Sequence, residues 1–266
     1  MRPFLKWVGG KYRLREKIKA LLPPGDCLIE PFVGSGAIFL NTDYKHYILG
    51  DSNPDLINIF KHLKKERSKF IDYCASFFNA DTNAENIFNQ NREIFNTTTD
   101  ARLKAALFLY LNRHGYNGLI RYNSKGGFNV PFGRYEKPLF PAKEMIAFAD
   151  KAKIADFFQA DFQTTMKKAK AGNVIYCDPP YMPLTSTARF TQYSIANFGL
   201  IEQTQLAKIA KKINKKGITI VISNHDTALA HKIYQGAKMH HFEVQRQISC
   251  DGNNRNKAKE ILAVFS

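Results

Sequence analysis

Short apolar segments alternate with polar, glycine-containing stretches over much of the chain. Five segments have the length and the β-branched and aromatic content of buried strands: 28–30, 47–51, 153–158, 174–177 and 218–222. Helical spacing follows most of them. This alternation predicts an α/β fold with a Rossmann-like sheet.

The middle of the chain departs from this pattern. Residues 68–113 read as helical, and 105–111 is apolar on all sides, which predicts a buried helix. Next comes a glycine- and aromatic-rich stretch, 115–135, in which Gly126-Gly127 predicts a hairpin turn. We therefore predict a discontinuous α/β domain (1–55 and 142–266) and an inserted helical plus β-hairpin domain (56–141).

Asp178, Pro179, Pro180 and Tyr181 directly follow the predicted strand 174–177. Two consecutive prolines cannot donate hydrogen bonds, so the strand must end there. Ligands bind at this edge of open α/β sheets. A carboxylate and a carbonyl can accept both hydrogens of an exocyclic amine, and a tyrosine ring can stack on a flat heterocycle. The motif predicts a site for a nucleobase amine, although such residues also form ordinary turns.

A glycine turn follows the first predicted strand. Gly34 and Gly36 permit positive φ and close approach to a nucleoside, and a helix is predicted after them. Asp51 ends the second strand, where it can hold ribose hydroxyls. The pattern fits NAD poorly, because Phe39 stands where a dinucleotide fingerprint has its third glycine. Glu30 is better suited to a cationic ligand than to a pyrophosphate.

The chain is strongly basic. It has 266 residues, 39 Lys and Arg against 23 Asp and Glu, a formal net charge of +16 and a pI near 9.6. Such a charge favours a nucleic-acid partner. Cys27, Cys74, Cys177 and Cys250 lie far apart, which predicts reduced thiols in a cytoplasmic protein and no metal site. We find no signal peptide and no membrane-spanning run.

Several motifs occur in a characteristic order: residues 4–11, 30–36, 109–119, 128–135, 178–181 and 222–226. In this order the chain resembles the adenine-specific DNA methyltransferases of the alpha arrangement, and among them the bacterial Dam methylases of GATC sites. The resemblance runs from residue 4 to about 262. It implies an S-adenosylmethionine-dependent DNA adenine N6-methyltransferase that acts on a flipped base in double-stranded DNA.

The resemblance also implies roles for individual residues. Asp178, Pro179, Pro180 and Tyr181 would act on the target adenine. The residues implied to hold S-adenosylmethionine are Trp7, Lys11, Glu30, Phe32, Gly34, Ser35, Gly36, Asp51, Asp161, Phe162 and Asp178. The residues implied to contact DNA are Lys6, Tyr116, Asn117, Leu119, Arg121, Asn129, Pro131 and Arg134. Among these, Arg121 is expected to read a guanine and Arg134 to grip a phosphate.

Two alternatives stay open at this point. One is a methyltransferase for another amine: cytosine N4, RNA or a protein glutamine amide. The other is a DNA-binding module whose cofactor fold no longer catalyses. We expect a monomer, because a four-base palindrome can be modified one strand at a time. A solitary methylase and a partner of a restriction nuclease both fit the sequence.

Overall fold

The computed structural model describes residues 1–182, 198–245 and 257–266, without the side chains of Gln245 and Lys257. Cys250 lies outside the described residues. The other three cysteines are buried and unpaired, including Cys177 in its strand, as predicted.

Seven strands form one sheet in the order β3-β2-β1-β4-β5-β7-β6. The strands are β1 (Cys27–Glu30), β2 (His46–Asp51), β3 (Ala155–Gln159), β4 (Asn173–Cys177), β5 (Thr219–His225), β6 (Lys238–Gln245) and β7 (Lys257–Phe265). The first five are parallel, and β7 runs antiparallel to both its neighbours. The strand order reverses between β1 and β4, and this is where an open α/β sheet forms its ligand crevice.

Nine α-helices belong to the described residues. They are α1 (Arg15–Lys19), α2 (Pro54–Glu66), α3 (Ser68–Ala75), α4 (Glu85–Thr97), α5 (Ala101–His114), α6 (Ala142–Lys151), α7 (Phe162–Met166), α8 (Leu200–Asn214) and α9 (Ala228–Ile233). Single 3-10 turns lie at Lys11–Leu14, Phe39–Asn41, Tyr116–Gly118 and Ala152–Ile154.

Both faces of the sheet are buried. Alternate residues of the central strands face opposite sides, so Val174 and Tyr176 join one apolar cluster while Ile175 and Cys177 join the other. The first cluster continues without a break into α2 and α5, and it includes the predicted buried helix. Residues 105–111 are fully buried in α5. Apolar runs without alternation are typical of such two-sided strands.

The helices of the middle region pack around α5. Of these, α3 and α4 contact α2 or α5, and α2 also packs on β2 and β3. The predicted domain limit at residue 55/56 therefore falls inside a helix that covers the sheet. The limit at residue 142 coincides with the start of α6.

One local prediction differs from the structure, and one strand was not predicted. The helix predicted after the glycine turn is wrong, because only the 3-10 turn Phe39–Asn41 forms there. Left-handed φ values at Gly34 (48°) and Gly36 (74°) prevent a right-handed helix from beginning before residue 37, and Thr42 is already extended, so only a short turn fits between them. Strand β6 was not predicted, because it is a half-exposed edge strand with little apolar signal.

Candidate active site

The motif Asp178–Tyr181 lies where the sequence predicted it, at the carboxyl end of β4 and beside β1. Glu30 ends β1, so its carboxylate and that of Asp178 reach the same edge of the sheet. Pro179 and Pro180 have no N–H to continue the ladder. The chain therefore leaves the sheet at a point that exposes the motif to the ligand crevice.

Lys11 contacts two members of this motif. Its Nζ lies 2.8 Å from Oδ1 of Asp178 and 4.6 Å from the centroid of the Tyr181 ring. It also donates to the carbonyl of Gly9 at 2.6 Å. With 8% exposure, Lys11 is unusually buried for a lysine. The ammonium thus joins the N-terminal segment to the end of β4.

Two carboxylates, Asp178 and Glu260, interact with this lysine, and a third, Glu30, interacts with Asp178. Burial raises the pKa of Asp178, nearby Lys11 opposes the rise, and Glu260 on β7 reinforces it. Burial also raises the pKa of Glu30 well above its usual range, and the charge of Asp178 adds to that effect. Among the described residues, Oε1 of Glu30 has no hydrogen-bond partner. A buried carboxylate oxygen without a donor is suited to a cationic ligand.

Tyr181 is held at two points of its side chain. Its hydroxyl donates to Oε2 of Glu260 at 2.9 Å. Its ring meets the His225 ring edge to face, with centroids 4.8 Å apart. Nδ1 of His225 lies 2.7 Å from the carbonyl oxygen of Met182, so this ring also contacts the backbone that follows Tyr181. Glu260 was not predicted, since a lone acid in a strand carries no local signal.

The glycine turn lies directly under the only tryptophan. A Cβ added to Gly34 would stand 2.9 Å from Nε1 of Trp7, so only glycine fits at this distance. The amide of Gly34 donates to Oδ2 of Asp51 at 3.1 Å. Oδ1 of Asp51 accepts from the amide of Asn53 at 3.0 Å, and burial raises the pKa of Asp51. Ser35 is buried in the same turn.

Phenylalanine rings cluster beside this turn. Phe32 stacks on Phe162 with centroids 5.6 Å apart, and Phe198 meets both rings at steep angles. Asp161 is exposed, and its Oδ1 accepts from the amide of Thr164 at 2.7 Å, which caps α7. One carboxylate oxygen of Asp161 is therefore used to cap α7. Phe198 is the member of this cluster that the sequence did not reveal.

The predicted hairpin region forms two isolated antiparallel bridges, Gly115–Phe132 and Tyr122–Phe128. Within it the Arg121 guanidinium is oriented by Asn129. Its Nε donates to Oδ1 of Asn129 at 2.7 Å, and its Nη2 donates to the Asn129 carbonyl at 2.8 Å. One side of the guanidinium fork is thus used within the protein, and in the described part of the chain no hydrogen bond engages its Nη1.

Asn112 connects two segments that carry predicted DNA contacts. The buried amide of Asn112 accepts from the backbone N–H of Lys6 at 2.9 Å and donates to the carbonyls of Lys6 and Gly118 at 2.8 and 2.9 Å. It therefore connects the segment that carries Trp7 and Lys11 to the loop that presents the candidate DNA contacts. Lys6 Nζ also lies 4.2 Å from the centroid of the Tyr135 ring.

The remaining predicted contacts lie at or near the surface of this loop. Tyr116, Asn117 and Pro131 are exposed and Leu119 is half-buried. Arg134 is exposed, has a left-handed φ of 52° and, among the described residues, forms one ion pair, with Glu85 at 3.5 Å. Their roles toward DNA stay predictions.

One group of metal-type side chains converges within the described ranges. His231 Nε2 and His241 Nδ1 lie 2.7 and 2.9 Å from the two carboxylate oxygens of Asp226. The Asp226 carboxylate therefore bridges the two imidazole rings. No helix in the described parts of the chain is long and apolar enough to cross a bilayer.

Comparison with known proteins gives consistent results. The family model for D12 class N6 adenine-specific DNA methyltransferases matches residues 7–248. Curated DNA adenine methylases from Salmonella typhi, Escherichia coli (strain K12) and Vibrio cholerae serotype O1 are 49%, 48% and 48% identical to this chain. These alignments cover 99%, 99% and 100% of this chain and 95%, 95% and 96% of the relatives.

Proposed function

The chain belongs to the D12 class of N6 adenine-specific DNA methyltransferases, and we propose that it transfers the methyl group of S-adenosylmethionine to a flipped adenine in GATC. The observation that carries the proposal is the arrangement at the end of β4. There Asp178, the Pro179 carbonyl and the Tyr181 ring stand at one edge of the sheet, with Lys11 against the carboxylate.

The residues present fit S-adenosylmethionine. Its amino group is a cation, which suits the buried Oε1 of Glu30, an atom with no hydrogen-bond partner in the described part of the chain. The backbone at Gly34 can approach the cofactor closely, and the Trp7 ring lies beside it. Asp51 can accept hydrogen bonds from ribose hydroxyls. The cofactor supplies an electrophilic methyl group on a sulfonium, which is a good leaving group.

The protein groups act chiefly by alignment and by placement of charge. An adenine amine inside a duplex cannot reach the crevice, so the base must leave the stack. The Tyr181 ring then stacks on the extruded base. Asp178 and the Pro179 carbonyl accept the two N6 hydrogens, which draws the nitrogen toward tetrahedral geometry and exposes its lone pair. Among the described residues no hydrogen bond reaches the Pro179 carbonyl, so it is available for this role.

Recognition of GATC is supported by the resemblance of residues 109–119 and 128–135 to methylases of GATC sites and by the orientation of the Arg121 guanidinium. Its terminal N–H groups suit guanine O6 and N7, the commonest arginine contact in the major groove. Leu119 and Pro131 can contact a thymine methyl group, and Tyr116 and Asn117 can enter the space near the flipped base. The net charge of +16 supplies attraction for the phosphates.

Base-resolution mapping of methylation tests this proposal. Unmethylated duplex DNA is incubated with the purified protein and S-adenosylmethionine, and modified bases are identified by sequencing and nucleoside mass spectrometry. We expect N6-methyladenine at GATC. Methylated cytosine, or methyladenine with no preference for GATC, would contradict the proposed specificity.

A further inference from the structure

The backbone of the Asp178–Tyr181 motif is restricted by its own sequence at every torsion from ψ of Asp178 to φ of Pro180, but not at ψ of Pro180. Asp178 and Pro179 each precede a proline, which confines both to extended conformations. The two proline rings fix φ at Pro179 and Pro180. The ψ of Pro180 precedes Tyr181 and has no such restriction. It therefore sets the direction in which the chain enters Tyr181, and something outside the motif must fix it.

Gln203, in the first turn of α8, makes the contact that fixes this torsion. Its Nε2 donates to the Pro180 carbonyl at 2.7 Å. The direction of that carbonyl is the direction of ψ at Pro180. The glutamine is only 1% exposed, so water does not compete effectively for the bond.

The amide of Gln203 is itself oriented by two buried donors. Its Oε1 accepts from the Tyr234 hydroxyl at 2.7 Å and from Nδ2 of Asn224 at 3.2 Å. Both partners are fully buried. Because the oxygen end faces these donors, the nitrogen end must face Pro180.

The same group also holds the far side of Tyr181. Oδ1 of Asn224 accepts from the amide of Met182 at 3.0 Å. The backbone is thus anchored immediately before and immediately after the tyrosine, by two side chains that hydrogen-bond each other.

We propose that Gln203 is a positioning residue for methyl transfer, which fixes ψ of Pro180 and thereby places the Tyr181 ring against the target base. This inference rests on the proposed function, because it concerns the ring that stacks on the flipped adenine. Gln203 acts only through Pro180 and contacts no reacting atom. Its loss should slow the chemical step and leave ground-state binding nearly unchanged.

The test compares two variants of Gln203 with a matched variant of the same hydrogen-bond group. Gln203→Met keeps the length of the side chain and removes the bond to Pro180, and Gln203→Asn keeps an amide that is too short to reach. Tyr234→Phe removes a hydrogen bond to Oε1 but leaves the Pro180 bond. Single-turnover N6-methylation is measured with saturating GATC duplex and S-adenosylmethionine, together with both dissociation constants and thermal unfolding.

We expect both Gln203 variants to lose about ten- to a hundredfold in single-turnover rate, the scale of a small misplacement of a reacting group. Both dissociation constants should stay within about threefold of wild type, and Tyr234→Phe should keep its rate within about threefold even where its unfolding temperature falls. Folded Gln203 variants with the wild-type rate would overturn the inference, and so would an equal loss of rate in Tyr234→Phe. Absence of N6-methyladenine with the wild-type protein would instead overturn the proposed function.

Discussion

The Lys11 ammonium lies 2.8 Å from Oδ1 of Asp178, although the two residues are 167 positions apart and belong to the N-terminal segment and the end of β4. Burial raises the pKa of the Asp178 carboxyl, and this lysine is the main influence in the opposite direction. The ionised carboxylate accepts a hydrogen from the target amine more strongly than the protonated carboxyl does. Lys11 therefore keeps Asp178 in its active form at lower pH.

This relationship predicts a shift in the pH dependence of catalysis. Lys11→Met removes the positive charge, so the pKa of Asp178 rises and the acid limb of the single-turnover rate moves to higher pH. The rate should recover at alkaline pH when S-adenosylmethionine is saturating. Lys19→Met is the control, because Lys19 pairs with the exposed Asp43 at 3.0 Å. An unchanged acid limb in Lys11→Met would show that the lysine does not control the ionisation of Asp178.

Arg121 is expected to carry sequence discrimination. Arg121→Ala should reduce the preference for GATC over a site with its guanine replaced by roughly ten- to a hundredfold, since a bidentate arginine–guanine pair contributes about 1–3 kcal/mol. Asn129→Ala should lower the same preference by less, because it frees the guanidinium that Asn129 holds at 2.7 Å. The measurement is kcat/KM on GATC and on each single-base variant.

Arg134→Ala is the matched control for this prediction, because Arg134 is exposed and forms an ion pair with Glu85 at 3.5 Å. A phosphate contact carries no sequence information, so all sites should weaken alike and the salt dependence should flatten. If Arg121→Ala lowers every site by the same factor, Arg121 is a backbone contact rather than the guanine reader.

Gly34 is expected to be irreplaceable in the cofactor site. In Gly34→Ala, the backbone of the new alanine must keep a left-handed φ. Its methyl group must also displace the Trp7 ring, whose Nε1 lies 2.9 Å from the new Cβ position. The backbone cost alone is about 1–2 kcal/mol, so binding of S-adenosylmethionine should weaken about tenfold or more. Gly236→Ala also has positive φ but has nothing within 4 Å, and it should bind normally. Calorimetric titration with S-adenosylmethionine measures the affinity of both variants. Equal affinities of the two variants would place the cofactor away from Gly34.

His114 is expected to make stability depend on pH. Burial lowers its pKa to about 4 from 6.5, and Nδ1 lies 2.9 Å from the Tyr110 carbonyl oxygen. As pH falls below 6.5, the unfolded chain binds a proton that the folded state refuses, so stability is lost toward pH 4. Between about pH 7 and 5 the free energy of unfolding of the wild type should fall by about 2 kcal/mol more than that of His114→Gln. Urea unfolding at both pH values measures this, and equal losses would show that His114 is protonated in the folded state.

The sheet and the motif at its edge were predictable because their signals are local. Two-sided strands are continuous apolar runs, and Pro179-Pro180 ends β4 whatever surrounds it. Parallel strands end at a common edge, so Glu30 and Asp178 could be expected to lie together. By contrast, β6 is an edge strand whose half-exposed side chains give no such run.

The residues that support the motif were not predictable in the same way. Gln203 and Glu260 come from α8 and β7, each a polar residue inside a stretch that suggests only a helix or a strand, and Asn224 lies in the motif 222–226, to which no supporting role was assigned. Their importance comes from contacts across the fold to Pro180, Met182 and Tyr181. No local pattern encodes those contacts.

Single-turnover methylation by Asp178→Ala is the sharpest test of the catalytic role of the Asp178–Tyr181 motif. The wild type and the variant are given the same GATC duplex and S-adenosylmethionine with a labelled methyl group, and DNA affinity is measured in parallel. We expect that transfer to adenine N6 is abolished while DNA affinity stays within about threefold, because the positive surface supplies most of the binding. Near-normal transfer by the variant would show that Asp178 has no catalytic role.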